Sequence, residues 1–200
     1  MRDAGLPCID VSEYTGSPEC LDGRVKTLHP KVHGGLLAVR GNAQHEQDMI
    51  TNGIGKIDMT ILNLYPFAAT VASGAEFSQC IENIDIGGPS MLRSTAKNHA
   101  FTTIVTGPDQ YDEIKDVLSK HGGTTLDLRK KFAARAFALS ASYDSAIATW
   151  FAKELEKEGV AAGESSSNPV VTRVYKPEFP LKYGERCDLL FILCTHNYCY

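Results

Sequence analysis

No apolar run in these 200 residues approaches the length needed to cross a bilayer, so a membrane-spanning reading has no support in the sequence. The first twenty residues lack the apolar core of a secretory signal and carry Asp3, Asp10, Glu13 and Glu19, which also argues against a transit peptide. There is no excess of positive charge either. With 20 basic against 24 acidic residues, net −4, the chain offers no electrostatic footprint for DNA, RNA or an anionic membrane surface, so any recognition of phosphate has to be local. The six cysteines, Cys8, Cys20, Cys80, Cys187, Cys194 and Cys199, lack the paired spacing of a zinc site or a disulfide framework in the body of the chain. A reducing, cytoplasmic setting is expected, with no metal.

What is present is enough apolar material, 43% of residues, for one globular domain with a real core and some trailing sequence. Pro7 to Val11 reads as a short strand, followed by a turn-rich approach from Gly16 to Gly23. Leu36-Leu37-Ala38-Val39 fits a buried strand or a helix, and Ala43 to Thr51 a polar helix stopped by Asn52-Gly53. Ile57 to Leu64 is a β-rich apolar run that Pro66, unable to donate to a ladder, should end. A helix is expected from about Glu76 to Asn83, then a Gly87-Gly88 loop, then a helix with Pro89 at its first position reaching Asn98. Phe101 to Val105 reads as a strand and Pro108 to Lys120 as a helix backed by Gly122-Gly123. Asp127 to about Lys157 is a long helix with the stripe Phe132, Ala136, Leu139, Tyr143, Ile147, Trp150. Strands alternating with helices predict an α/β domain with a parallel sheet, whose ligands bind at the carboxyl ends of the strands. Gly159 to Pro169 has linker composition, Val170 to Gly184 reads as an extended segment, and residues 185–200 change character with three cysteines and no periodicity.

Three clusters carry chemistry. Arg24, Lys26 and Thr27 supply convergent donors for a phosphate or carbonyl, and the same residues fit a solvated basic loop. Tyr65 closes the apolar strand, either as a half-buried aromatic or as a group presented to ligand. Asp85 before Gly87-Gly88 is a turn residue or the start of a backbone anion cradle, and Lys97 by itself is a surface lysine. His29 and His33 have the spacing of metal ligands on one helical face, but no acidic or cysteine partner lies nearby, so structural roles are expected.

Taken in order, Gly23-Arg24-Val25-Lys26-Thr27-Leu28-His29-Pro30, Asn63-Leu64-Tyr65-Pro66-Phe67, Ile84-Asp85-Ile86-Gly87-Gly88 and Ala96-Lys97-Asn98-His99-Ala100 resemble the inosine monophosphate cyclohydrolase domain of the bifunctional purine-biosynthesis enzyme. The resemblance spans about residues 1–158. It implies a methylglyoxal-synthase-like, mostly parallel sheet flanked by helices, and ring closure of 5-formamidoimidazole-4-carboxamide ribotide to inosine monophosphate with loss of water. It further implies no cofactor for that step, a purine nucleotide monophosphate as substrate, and a homodimer. Position by position it implies that Arg24, Val25, Lys26 and Thr27 bind substrate, that Leu62 and Asn63 line the base, and that Asp85, Ile86 and Gly87 meet the carboxamide. Lys97 would give and take protons, coupled to Asp85, while Lys26 and Tyr65 stabilise charge on the formyl oxygen.

Two departures from the family pattern accompany the resemblance. The chain starts at Met1-Arg2-Asp3-Ala4-Gly5, past the Ser-rich and Gly-Gly-Thr phosphate loops of the family, so a sheet lacking its first strands is expected. After Tyr183-Gly184-Glu185 the match ends, which leaves residues 159–184 as a linker, 185–200 as a divergent tail, and no formyltransferase domain or use for its 10-formyltetrahydrofolate. An inactive fragment, or a nucleotide-binding regulatory module of the same fold, is the alternative to an enzyme.

Overall fold

The computed structural model describes residues 2–159; the expected linker and tail fall beyond them, apart from Gly159 itself. The chain divides into two units, residues 1–147 and 148–200, and the sheet and core belong to the first. After a 3₁₀ turn at Arg2–Ala4, the helices are α1 (Val11–Thr15), α2 (Pro30–Leu37) and α3 (Ala43–Thr51). Strand β1 (Met59–Ile61) leads to α4 (Phe67–Ala72), α5 (Phe77–Glu82) and α6 (Gly87–Lys97). Strand β2 (Thr103–Val105), a 3₁₀ turn at Pro108–Gln110, α7 (Tyr111–His121) and α8 (Leu126–Lys157) complete the order.

The expected parallel sheet is present: β1 pairs in parallel with β2, Thr60 opposite Ile104, and the crossover runs through α4, α5 and α6. The ladder extends by one bond at each end, Thr103 N–H to the Asp58 carbonyl at 2.9 Å and Leu62 N–H to the Val105 carbonyl at 3.0 Å. The core gathers around β2, where Leu92 and Ala96 of α6, Ile114 of α7 and Leu128, Phe132, Ala133 and Ala136 of α8 enclose Ile104 and Val105. That arrangement explains why α8 shows its stripe so plainly in sequence: its buried face follows the three- and four-residue steps of a helix.

Several expectations are corrected. Residues 7–10 form no strand, and Val11 instead begins α1. The β-rich run of residues 57–64 is strand only over Met59–Ile61, because β2 offers three partners. Leu36 and Leu37 close α2. Gly87 and Gly88 are not a loop but the first residues of α6, which puts Pro89 third, where its missing N–H still falls among the unpaired donors of a helix start. Helix α4 has no counterpart among the expected elements. By contrast α3 spans the residues expected, with Asn42 accepting from Gln44 and His45 N–H as its cap.

Two side chains tie the end of α6 to its surroundings. Asn98, buried, donates to the carbonyls of Leu36 (2.7 Å) and Ala38 (3.0 Å). The Arg129 guanidinium donates to the carbonyls of His99 (2.8 Å), Ala100 (2.9 Å) and Thr124 (2.5 Å), joining the segment after α6 to the start of α8.

Candidate functional site

The contacts between α2 and α6 fix the direction of both. Thr27, just before α2, lies against Gly87 at the start of α6; His33, one turn into α2, bonds Ser94, about two turns into α6; Asn98 meets the end of α2. The two helices therefore run parallel with their N-termini side by side, and there Thr27 of the first sequence cluster meets Gly87 of the third. The helix starts are prepared differently. In α2, Pro30 takes the first position and His29 is the cap, its Nδ1 accepting from Lys31 N–H at 3.1 Å, so the donors there are used locally. In α6, the Asp85 carboxylate accepts from Gly88 N–H at 2.8 Å, while Gly87 N–H has no partner among the described residues. A small residue is favoured at 87 by proximity: a Cβ there would stand 2.6 Å from Thr27 Oγ1, and the hydroxyl would have to turn aside.

A tight hairpin delivers the basic segment. Cys20 and Val25 bridge in antiparallel fashion, with Leu21, Asp22 and Gly23 all at positive φ (53°, 54° and 87°) between them. Two non-glycine residues in the left-handed region store strain of about 1–2 kcal/mol each. Beyond the turn, Arg24 forms an ion pair with Glu82 at the end of α5, and Lys26 Nζ lies 2.9 Å from Glu19. That hydrogen-bonded carboxylate raises the Lys26 pKa, and Glu19, Asp10 and Tyr65 all act on it in the same direction. Lys26 is thus held as a cation, suited to stabilising negative charge rather than to accepting a proton.

Tyr65, 56% exposed, is electrostatically coupled to Lys26 on one side and to Tyr143 of α8 on the other. Leu62 is turned against the core, while Asn63 beside it is exposed. Ile86 is exposed. Lys97 stands apart from the residues at the start of α6. It ends α6, whereas Asp85 precedes its first residue, and at 1.5 Å per residue the helix separates them by ~15 Å. The expected Asp85–Lys97 acid/base pair is not formed. Lys97 is exposed, with no ion-pair partner among the described residues.

Both histidines are engaged in hydrogen bonds. His29 caps α2 and His33 Nδ1 meets Ser94 Oγ at 2.9 Å; no cluster able to hold a metal occurs among the described residues. One residue that sequence reasoning passed over is Tyr143. It was visible only as part of the apolar stripe of α8, yet its hydroxyl accepts from Asp85 N–H and donates to the Asn83 carbonyl.

Residues 1–90 match the MGS-like domain and residues 95–188 the AICARFT/IMPCHase bienzyme family. Bifunctional purine biosynthesis proteins PurH align across most of the chain: that of Rhodospirillum rubrum is 51% identical over 159 residues, and that of Caulobacter vibrioides 56% identical over 155. The chain belongs to the PurH family. Its PurH relative in Cutibacterium acnes is 50% identical over 181 residues, 90% of this chain. The chain spans about 30% of the length of these relatives, 30%, 29% and 34% respectively, and 79%, 78% and 90% of its own length is covered. The crystal structure of ForH superposes with a TM-score of 0.62 at 35% identity, over 75% of this chain and 79% of that one. The methylglyoxal-synthase-like α/β fold expected from sequence is the one found.

Proposed function

We propose that this chain is an inosine monophosphate cyclohydrolase, closing the purine ring of 5-formamidoimidazole-4-carboxamide ribotide with loss of water. The observation that carries the proposal is the meeting of Thr27 with Gly87 where α2 and α6 begin together, with Lys26, Tyr65 and Asp85 around them. The carboxamide nitrogen attacks the formyl carbon of the same molecule, the formyl oxygen becomes a hydroxyl, and that hydroxyl leaves as water. No electrons are gained or lost, so the step needs no redox cofactor. The protein's work is to hold a reactive conformer, steady the developing oxyanion and move protons.

In this reading Arg24, Val25, Lys26 and Thr27 hold the ribotide, Asn63 and the Leu62 backbone border its base, and Gly87 N–H with Ile86 meets the carboxamide. Lys26, kept cationic by Glu19, and Tyr65 face the oxyanion. Asp85 takes part in proton transfer at the start of α6. Lys97 acts on protons at a separate point and not as the partner of Asp85, because α6 lies between them. A purine nucleotide handled in the cytoplasm by a homodimer is the setting proposed. Formyl transfer from 10-formyltetrahydrofolate is the other activity of the bifunctional family and is assigned to none of the residues above.

The test is absorbance-monitored formation of inosine monophosphate by the purified chain, beside Lys26→Met, Asp85→Asn, Lys97→Ala and the last two combined. Removing an oxyanion-stabilising cation should lower kcat by about 100-fold or more. The thermal midpoint should barely move, because an exposed ion pair contributes little stability. Uncoupled sites predict that Asp85→Asn and Lys97→Ala combine additively. Binding of the nucleotide without turnover would replace the enzyme reading with the regulatory-module one.

A further inference from the structure

We propose that Tyr143 is a positioning residue: its hydroxyl fixes the Asn83–Asp85 turn, and through it the placement of Asp85 and Gly87 against Thr27. The inference rests on the cyclohydrolase reading for its effect on turnover, but its geometry stands independently. The hydroxyl bridges two backbone groups of one turn, accepting from Asp85 N–H at 2.9 Å and donating to the Asn83 carbonyl at 3.2 Å. Asn83 is the C-cap of α5 and Asp85 supplies the carboxylate that receives Gly88 N–H. The turn between α5 and α6 is therefore held at Asn83 and at Asp85 by one oxygen from α8.

Three features make that oxygen well placed for the task. Tyr143 is buried, and its ring sits edge-on to Phe67 with centroids 6.4 Å apart, so the hydroxyl is delivered from a fixed position. Burial raises its pKa, which keeps the proton that the Asn83 carbonyl needs. The turn it holds also has the ion-pair partner of Arg24 one residue upstream, Glu82, so the basic segment and the Asp85 segment are referred to the same support. Loss of the bridge leaves Asp85 N–H and the Asn83 carbonyl without their partner, and the turn free to shift relative to Thr27. A displacement of the reacting groups by even a fraction of an ångström is enough to slow an enzyme whose task is to hold a conformer.

Tyr143→Phe tests this, since it removes one oxygen and keeps the ring. Phe132→Leu, in the core away from the turn, is the control for simple loss of stability. Hydrogen exchange of the Asp85 amide, read by NMR, should quicken roughly tenfold in Tyr143→Phe, the change expected from one hydrogen bond. In Phe132→Leu it should follow only the global stability. The Tyr143→Phe variant should also lower kcat for ring closure roughly five- to tenfold at a temperature well below its midpoint, with KM changed less. Phe132→Leu should leave kcat as in the unaltered chain. Unchanged Asp85 exchange in Tyr143→Phe would overturn the positioning role whatever the activity. An unaltered chain that does not close the ring, with Asp85 exchange nevertheless quickened by the substitution, would remove the cyclohydrolase reading and leave the bridge intact. A fall in kcat shared equally by Phe132→Leu would reduce Tyr143 to ordinary packing.

Discussion

His33 carries one ring nitrogen on Ser94 Oγ, while the other, Nε2, is buried without a partner among the described residues. A charged imidazole needs two acceptors, and burial accordingly lowers the pKa of this ring. Below the ordinary value of 6.5 the unfolded chain takes up a proton that the folded chain resists, so the contribution of His33 is full above that pH and lost as the pH falls towards the folded value. Urea unfolding between pH 7.5 and 5 should show stability declining with acidity, and His33→Gln should flatten the slope. An unchanged slope in the variant would place the effect elsewhere. Residue types alone reach a certain distance. Those at 24, 26 and 27 fit an anion clamp and a solvated basic loop alike, and Tyr65 and Asp85 by themselves fit an ordinary strand end and a turn; it is their order along the chain that carries the resemblance. The Glu19 partner that keeps Lys26 charged, and the tyrosine 58 positions from Asp85 that steadies its backbone, leave no trace in spacing.

At the scale of elements, the α2–α6 pair depends on Asn98 more than its size suggests. One buried amide group satisfies two carbonyls at the end of α2, and alanine there would leave both without that donor. A cost of about 2–3 kcal/mol is expected for Asn98→Ala, to be measured by denaturant titration; a loss below about half a kcal/mol would mean that water replaces the amide freely. The elements that were legible are those whose signal is contained within them: the stripe of α8, the Asn52-Gly53 stop of α3, and Gly122 at φ 66° closing α7. Those that were not depended on partners. Three-residue strands take their limits from each other rather than from composition, and the six residues of α4 are too few to display a helical period. The glycines at 87 and 88 looked like a loop because the reason for a small residue at 87, the approach of Thr27, comes from a segment 60 residues earlier.

For the whole first unit, the sheet of the described residues consists of β1 and β2 alone, so each strand is an edge. Ile61, 57% exposed, stands on one of them, and exposed apolar edges favour association. Sedimentation velocity across a tenfold range of concentration should show the chain associating, and Ile61→Lys should weaken it; indifference to the substitution would move the contact to another face. The parallel course of α2 and α6 has an effect that reaches beyond either helix. Each carries roughly half an elementary charge at its termini, and because the two point the same way these fractions add. One pole lies on the side of Arg24 and Lys26, while at the other Asn98 donates to the carbonyls of Leu36 and Ala38 at the end of α2. In a chain of net charge −4, the paired N-terminal poles are a local field of the opposite sign, one that would turn the negative end of an anion towards them.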